Sequence, residues 1–286
     1  MSTARTAIVT GATGGLGRAV ASQLAADGVD LVVAARSGEA AAACAAELRA
    51  QWPGRHVRAE SCDLSREAEV RELIDRVAGS GPMPDILVNI AAVQGPIGAF
   101  VDAPWGEWAR TLGIDLFAPA LLAQLTLPAM IGRGWGRVIN ISGGGATGPR
   151  PDFSAYAVAK TGLVRFTETM AHELSGTGVT VNAVAPGPMN TRMLDEVLQA
   201  GPAKASHEHA SALARARDGG VPPEQAARLV GWLASTEAAR ISGRLLSAVW
   251  DPWEDLAGHA DDLEGSDIYT LRRIVPRDRG RQWGDR

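Results

Sequence analysis

The sequence predicts a doubly wound α/β fold, with a seven-stranded parallel sheet flanked by helices, and three observations predict it. Short β-rich runs alternate with longer helical stretches over most of the chain. The strand runs are near-continuously apolar, as strands are when helices cover both faces of a parallel sheet. A glycine-rich turn, "TGATGGLG" at residues 10–17, follows the first strand and opens the first helix.

The elements follow in order. The expected strands are "TAIVT" (6–10), "DLVVAA" (30–35), "HVRAE" (56–60), "DILVN" (85–89), "GRVINIS" (136–142), "VTVNAVAP" (179–186) and "LLSAV" (245–249). Between the first four lie Ala/Leu-rich segments at 15–27, 38–51 and 65–78, each long enough for a crossover helix. The alanine run at 38–46 is plain helix, because Ala has the best helix propensity. Residues 1–250 thus form one Rossmann-type domain. Two segments break the alternation. Residues 190–220 are polar, and a long insertion between a sheet strand and the next helix reads as a substrate lid. Residues 251–286 form a C-terminal extension; Trp250, Trp253 and Tyr269 are expected to pack on the body or on a neighbouring subunit.

Composition narrows the classes. The 286 residues are 46% hydrophobic and 21% charged, enough for a two-sided core and unlike a disordered chain. A net charge of -4 with scattered Lys and Arg lacks the footprint of a nucleic-acid binder. Two cysteines, Cys44 and Cys62, make no framework of bridges, and the N-terminus lacks a secretory apolar run. The longest apolar runs fall short of the roughly 20 residues that cross a membrane. A cytoplasmic protein without membrane or nucleic-acid partners is the expectation.

Several residues carry chemistry. Gly11, Gly15 and Gly17 let the turn tighten and a ligand approach, while the free N–H groups and dipole of the helix start favour a pyrophosphate. Where an acidic residue would bind the ribose hydroxyls of NAD, the second strand ends in Ala35 and Arg36, and arginine suits a 2'-phosphate. NADP(H) is therefore preferred, with NAD(H) the alternative. Asp63 is placed to accept from an adenine amino group or to cap the helix starting near Ser65. Tyr156 and Lys160, at i and i+4, share a helix face, so the ammonium favours the phenolate and lowers the tyrosine pKa. Gln94 follows the fourth strand, where its amide would meet a polar substrate, with loop-filling as the alternative. His207 and His209, two apart, do not converge on a metal, and Trp105 and Trp108 read as core or interface.

The glycine turn, Asp63, "VNIAA" (88–92), Tyr156/Lys160 and "PGPMNT" (186–191) together resemble the short-chain dehydrogenase/reductase family over about residues 5–250. The resemblance implies hydride transfer at a nicotinamide and a homodimer or homotetramer built on helices near 108–132 and 152–175. It implies that Gly11, Thr13, Leu16 and their neighbours hold the pyrophosphate, Asp63 and Leu64 the adenine, and Asn89 and Ala91 the ribose region. Pro186, Gly187, Met189 and Thr191 would hold the nicotinamide half. Lys160 would also bond the ribose, and Tyr156 would pass a proton to or from the substrate oxygen. The pattern is broken at three places. The family serine thirteen residues before the tyrosine falls on Gly143, leaving Ser142, a backbone N–H of 143–145 or water to polarise the substrate. Asp115 stands where an asparagine commonly holds a relay water, and Ile90 and Ala92 replace asparagine and glycine. The leading expectation is an NADP(H)-dependent oxidoreductase acting on a carbonyl or hydroxyl of a small polar substrate. The alternatives are redox-neutral chemistry such as epimerisation or elimination, and a cofactor-binding scaffold with little turnover.

Overall fold

The computed structural model describes residues 4–283; residues 1–3 and 284–286, the outer ends of the expected domain and extension, lie outside the described residues. The first half runs β1 (Thr6–Thr10), α1 (Gly15–Ala26), β2 (Asp30–Ala35), α2 (Gly38–Gln51), β3 (Val57–Ser61), α3 (Glu67–Gly79) and β4 (Ile86–Asn89). Then come α4 (Trp105–Leu112), a π-helical turn (Gly113–Phe117), α5 (Ala118–Arg133), β5 (Gly136–Ile141), α6 (Ser154–Glu173) and β6 (Val179–Ala185). The chain closes with α7 (Arg192–Lys204), α8 (His209–Asp218), α9 (Pro223–Ala234), β7 (Leu245–Ser247) and the short α10 (Ala260–Leu263).

All strand pairs are parallel, in the order β3-β2-β1-β4-β5-β6-β7. Strand alternation sorts the core into two layers. Val9, Val33, Val88 and Ile139 face α1 and α9 residues such as Leu24 and Leu233. Ile8, Val32, Leu87 and Val138 face Leu73 of α3 and Leu122 of α5. The order reverses between β1 and β4, which opens a crevice beyond the strands' carboxyl ends.

Local chemistry sets several boundaries. The Ser37 hydroxyl accepts from Ala40 N–H at 3.2 Å and caps α2. Asp63 does not cap a helix: α3 starts at Glu67, and the Asp63 carboxylate instead accepts from the N–H and hydroxyl of Ser65 at 2.9 and 2.8 Å. The continuous helical stretch Trp105–Arg133 is long and apolar enough to cross a membrane by length and composition, contrary to the sequence expectation. Half of its most apolar window is buried inside this fold.

The 190–220 insertion is a helical pair. In α7 the helix breaks at Gly201, whose φ of 73° is followed by Pro202. Its apolar face, Leu194 and Val197, packs with Ala205 and Ala212 onto Phe153 and Tyr156. In the extension, Trp253, Leu256 and Leu263 join the α1/α9 core layer, with the Trp253 ring 5.9 Å from Trp232. Leu245 N–H donates to the Tyr269 carbonyl at 2.8 Å, so the extension satisfies a backbone donor of the edge strand β7. Buried Arg244 fastens the same segment through the carbonyls of Leu263, Ser266 and Ile268. Trp250, just beyond the end of β7, is 71% exposed and so does not pack on its own body.

Candidate active site

A cavity of about 920 Å³ lies at the carboxyl ends of the central strands and reaches from the glycine turn to Tyr156 and Lys160. The turn fits a pyrophosphate for steric reasons visible in the backbone. Gly11 has φ +67° and lies against the Ala91 backbone; a Cβ on Gly17 would lie 2.1 Å from the Gly11 carbonyl oxygen, whereas one on Gly15 would meet nothing. Among the described residues nothing accepts from the N–H groups of Gly15, Leu16 and Gly17, which begin α1 without a side-chain cap. Thr10 supports the turn, its hydroxyl accepting from the N–H groups of Ile90 and Ala91 at 3.1 and 3.3 Å. Ile90 and Ala92, the changed positions of "VNIAA", both line the cavity, and Ile90 is held there through its backbone N–H.

Of the sequence candidates, Gly11, Thr13, Gly15, Leu16, Gly17, Arg36, Asp63, Leu64, Ala91, Ser142, Tyr156, Lys160, Pro186, Met189 and Thr191 line this cavity. Asp63 is pushed upward by burial, but its bonds from Ser65 and the charges of Arg110 and Arg36 outweigh that and hold it below the usual carboxylate range. Arg110 and Ile114 also line the adenine side; they come from the α4–α5 region, distant in sequence, and no motif marks them.

Besides Asp115, four candidates stand off the cavity wall. Asn89 is buried and spends its amide on the Asn140 carbonyl oxygen at 2.8 Å, and Asn140 donates on to Thr167 at 2.9 Å; this chain ties β4 to β5 and α6. Gln94 is 3% exposed and outside the cavity lining, so the loop-filling alternative holds over a place at the substrate mouth. Gly187, with φ +88°, shapes the loop from beneath, where a Cβ would meet Val249 at 2.6 Å. Gly143 meets the site from behind the tyrosine: a Cβ built on it would lie 2.3 Å from Tyr156 Oη. The position of the missing serine is therefore filled by the phenol itself. Ser142, although on the wall, has its hydroxyl buried without a partner, and alternation puts it on the Asn140 side of β5.

Asp115 lies wholly buried beneath the pair. One carboxylate oxygen accepts from Val93 N–H at 2.9 Å, and the other faces Lys160 Nζ at 3.5 Å, an ion-pair distance. Burial raises its pKa, against the pull of Lys160 and the Val93 bond. Lys160, also buried, donates to the Ile141 carbonyl at 3.1 Å, with Nζ 5.5 Å from the Tyr156 ring centre. The expected lowering of the tyrosine pKa is reversed: burial raises it, and the ammonium, already paired with Asp115, recovers only part of the cost. Arg150, unmarked in the sequence, stands over the Phe153 and Tyr156 rings at 4.0 and 5.0 Å.

Comparison with known proteins agrees with this geometry. The pattern of the family described as short chain dehydrogenase matches residues 5–201. The D-β-hydroxybutyrate dehydrogenase of Cupriavidus necator is 34% identical over 224 residues, 78% of this chain and 80% of the relative. Dehydrogenase/reductase SDR family member 4 of Homo sapiens is 34% identical over 239 residues, 84% of each chain. The crystal structure of an actinorhodin polyketide ketoreductase variant with NADPH superposes with a TM-score of 0.77 at 32% identity, covering 86% of this chain and 97% of that one.

Proposed function

The chain belongs to the short-chain dehydrogenase/reductase family of NAD(P)-dependent oxidoreductases, and on that footing we propose that it interconverts a carbonyl and a hydroxyl of a small polar substrate with NADP(H). One observation carries this reading: the glycine turn and the Tyr156/Lys160 pair open onto the same cavity. When bound, the nicotinamide supplies or accepts the hydride. Gly11, Thr13, Gly15, Leu16 and Gly17 would hold its pyrophosphate on free N–H groups, and Asp63 and Leu64 the adenine. Arg36 beside Ser37 would take a 2'-phosphate, while Ala91, Pro186, Met189 and Thr191 would hold the nicotinamide half.

In reduction Tyr156 Oη gives its proton to the substrate oxygen, and in oxidation it takes one back. Burial raises the phenol's pKa and so favours its protonated form, the form that donates in the reductive direction. Lys160 supplies a fixed positive charge beside the phenol, and Asp115 holds that charge in place by direct pairing. We read α7 and α8 as the lid, since they close directly onto Tyr156. The exposed aromatic face of Phe100, Trp105 and Phe117 is our candidate for self-association.

The test is steady-state NADPH oxidation across a panel of carbonyl compounds, with Tyr156→Phe beside the parent. Turnover should fall by about 10²- to 10⁴-fold with NADPH affinity retained. A Phe variant as fast as its parent refutes the reading, and product without net NADPH oxidation redirects it to redox-neutral chemistry.

A further inference from the structure

Two cations flank the Tyr156 ring, and each is paired with a carboxylate from a different part of the chain. On one side Lys160 meets Asp115 at 3.5 Å, deep in the body. On the other, the Arg150 guanidinium stands 5.0 Å from the ring centre and binds Glu208 with two parallel bonds, at 2.5 and 2.7 Å. Glu208 immediately precedes α8, so the second pair joins the tyrosine's loop to the α7–α8 insertion. The same junction is tied once more, by the Ser206 hydroxyl donating to Asp152 at 2.9 Å, and Asp152 keeps φ +71° in a non-glycine residue. Arg150 also covers Gly144, where a built Cβ would lie 3.7 Å from its Nε.

We propose that Arg150 is a positioning residue for Tyr156, holding the phenol ring through its face, and that Glu208 governs its pull by pairing with it. A guanidinium over an aromatic face attracts the ring's π-density and favours negative charge on the phenol oxygen. A carboxylate on that guanidinium cancels much of the pull. The two pairs therefore differ in kind. Asp115 is wholly buried and fixed by Val93, so it restrains Lys160 permanently. Glu208 travels with the insertion, so seating or withdrawing α8 changes the charge the phenol feels. With the serine position closed by the phenol itself, Arg150 supplies the polar restraint from outside the ring that a serine hydroxyl cannot. The charged groups facing the tyrosine are Lys160 on its own helix, Asp115 from the α4–α5 junction, Arg150 from the preceding loop and Glu208 from the insertion. Arg215 of α8 couples in turn to Glu208 and Arg150.

The catalytic meaning of this coupling rests on the proposed function, but the tyrosine can be read without turnover. The chain has two tyrosines, Tyr156 and Tyr269, so a Tyr269→Phe background leaves one phenol to titrate by NMR of isotope-labelled tyrosine. In that background Glu208→Gln, nearly isosteric, should lower the Tyr156 pKa, and Arg150→Gln should raise it, each by about one pH unit. Arg150→Lys should stay nearer the parent than Arg150→Gln. A purely structural latch would loosen in both Gln variants and move the phenol the same way or not at all, and that result overturns the proposal. Should Arg150→Gln fail to fold, Glu208→Gln decides alone: no downward shift means the coupling is absent. Opposite shifts in a protein inactive on every carbonyl would leave the coupling standing and remove the reductase reading. Normal reduction with an unmoved phenol would do the reverse.

Discussion

Restoring the family serine should damage this protein rather than improve it. Gly143 occupies the position thirteen residues before Tyr156, and a Cβ there would lie 2.3 Å from the phenol oxygen and about 3.0 Å from the ring carbon bearing it. Ordinary contact begins near 3.4 Å, so the hydroxyl would have to retreat by roughly 1 Å. It has little room. Tyr156 is 6% exposed and packed by Phe153, Leu194 and Val197, with Arg150 over its face. Forcing extra atoms into such packing costs about 1–3 kcal/mol, and a misplacement of 1 Å at a reacting group can cost about 10²-fold in rate. The expected outcome for Gly143→Ser is a lower thermal midpoint and a kcat reduced by about 10- to 100-fold. NADPH affinity should change little, since the glycine turn lies elsewhere on the cavity wall. Calorimetry and steady-state NADPH oxidation measure the two effects. A Gly143→Ser protein as stable and as fast as its parent, or faster, would refute the steric account and imply that the tyrosine leaves Gly143 during turnover.

Other outcomes follow from named contacts. Arg36→Ala should weaken NADPH by about 10- to 100-fold and NADH far less, the loss of a charge-assisted phosphate contact; equal effects in binding titrations would remove the NADP(H) preference. Arg244→Ala strips the donors from three carbonyls of the extension and should lower stability by about 3 kcal/mol while exposing residues 260–283 to limited proteolysis. Unchanged proteolysis would show that Trp253 and Leu256 hold the segment unaided. Burial, reinforced by the nearby Glu69 charge and partly offset by Arg76, pushes the Cys62 thiol up to about 11. At pH 8 it should therefore resist iodoacetamide in the native protein. Because its folded pKa is raised, its contribution to stability is intact below the ordinary value of 9.0 and declines as pH climbs towards 11. Cys62→Ala should flatten that part of the stability profile in chemical denaturation.

The strands were readable because a parallel strand buried on both faces must be apolar throughout, and "TAIVT" and "DILVN" could be little else. The glycine turn was equally plain, since Gly17 packs on the Gly11 carbonyl six residues before it and Gly11 itself needs φ +67°. The side-chain directions of Asn89 and Gln94 were not legible, for one reason. Each follows or ends a strand at the cavity, but which way a side chain turns depends on partners such as Asn140, fifty-one residues away. The tyrosine's acidity misled for another: helical spacing revealed the nearby cation but neither the depth of burial nor the carboxylate already paired with it.

Spacing and hydrophobic period along the chain were enough to settle the sheet, the cradle for a pyrophosphate and the Tyr156/Lys160 face, because each depends on residues close in sequence and on backbone geometry that repeats. The electrostatics of the phenol were decided only on folding. Asp115 and Glu208 come to it from distant segments to meet Gly143 and Arg150 of the β5–α6 loop, and Coulomb forces and steric exclusion depend on distances in space that sequence separation does not encode.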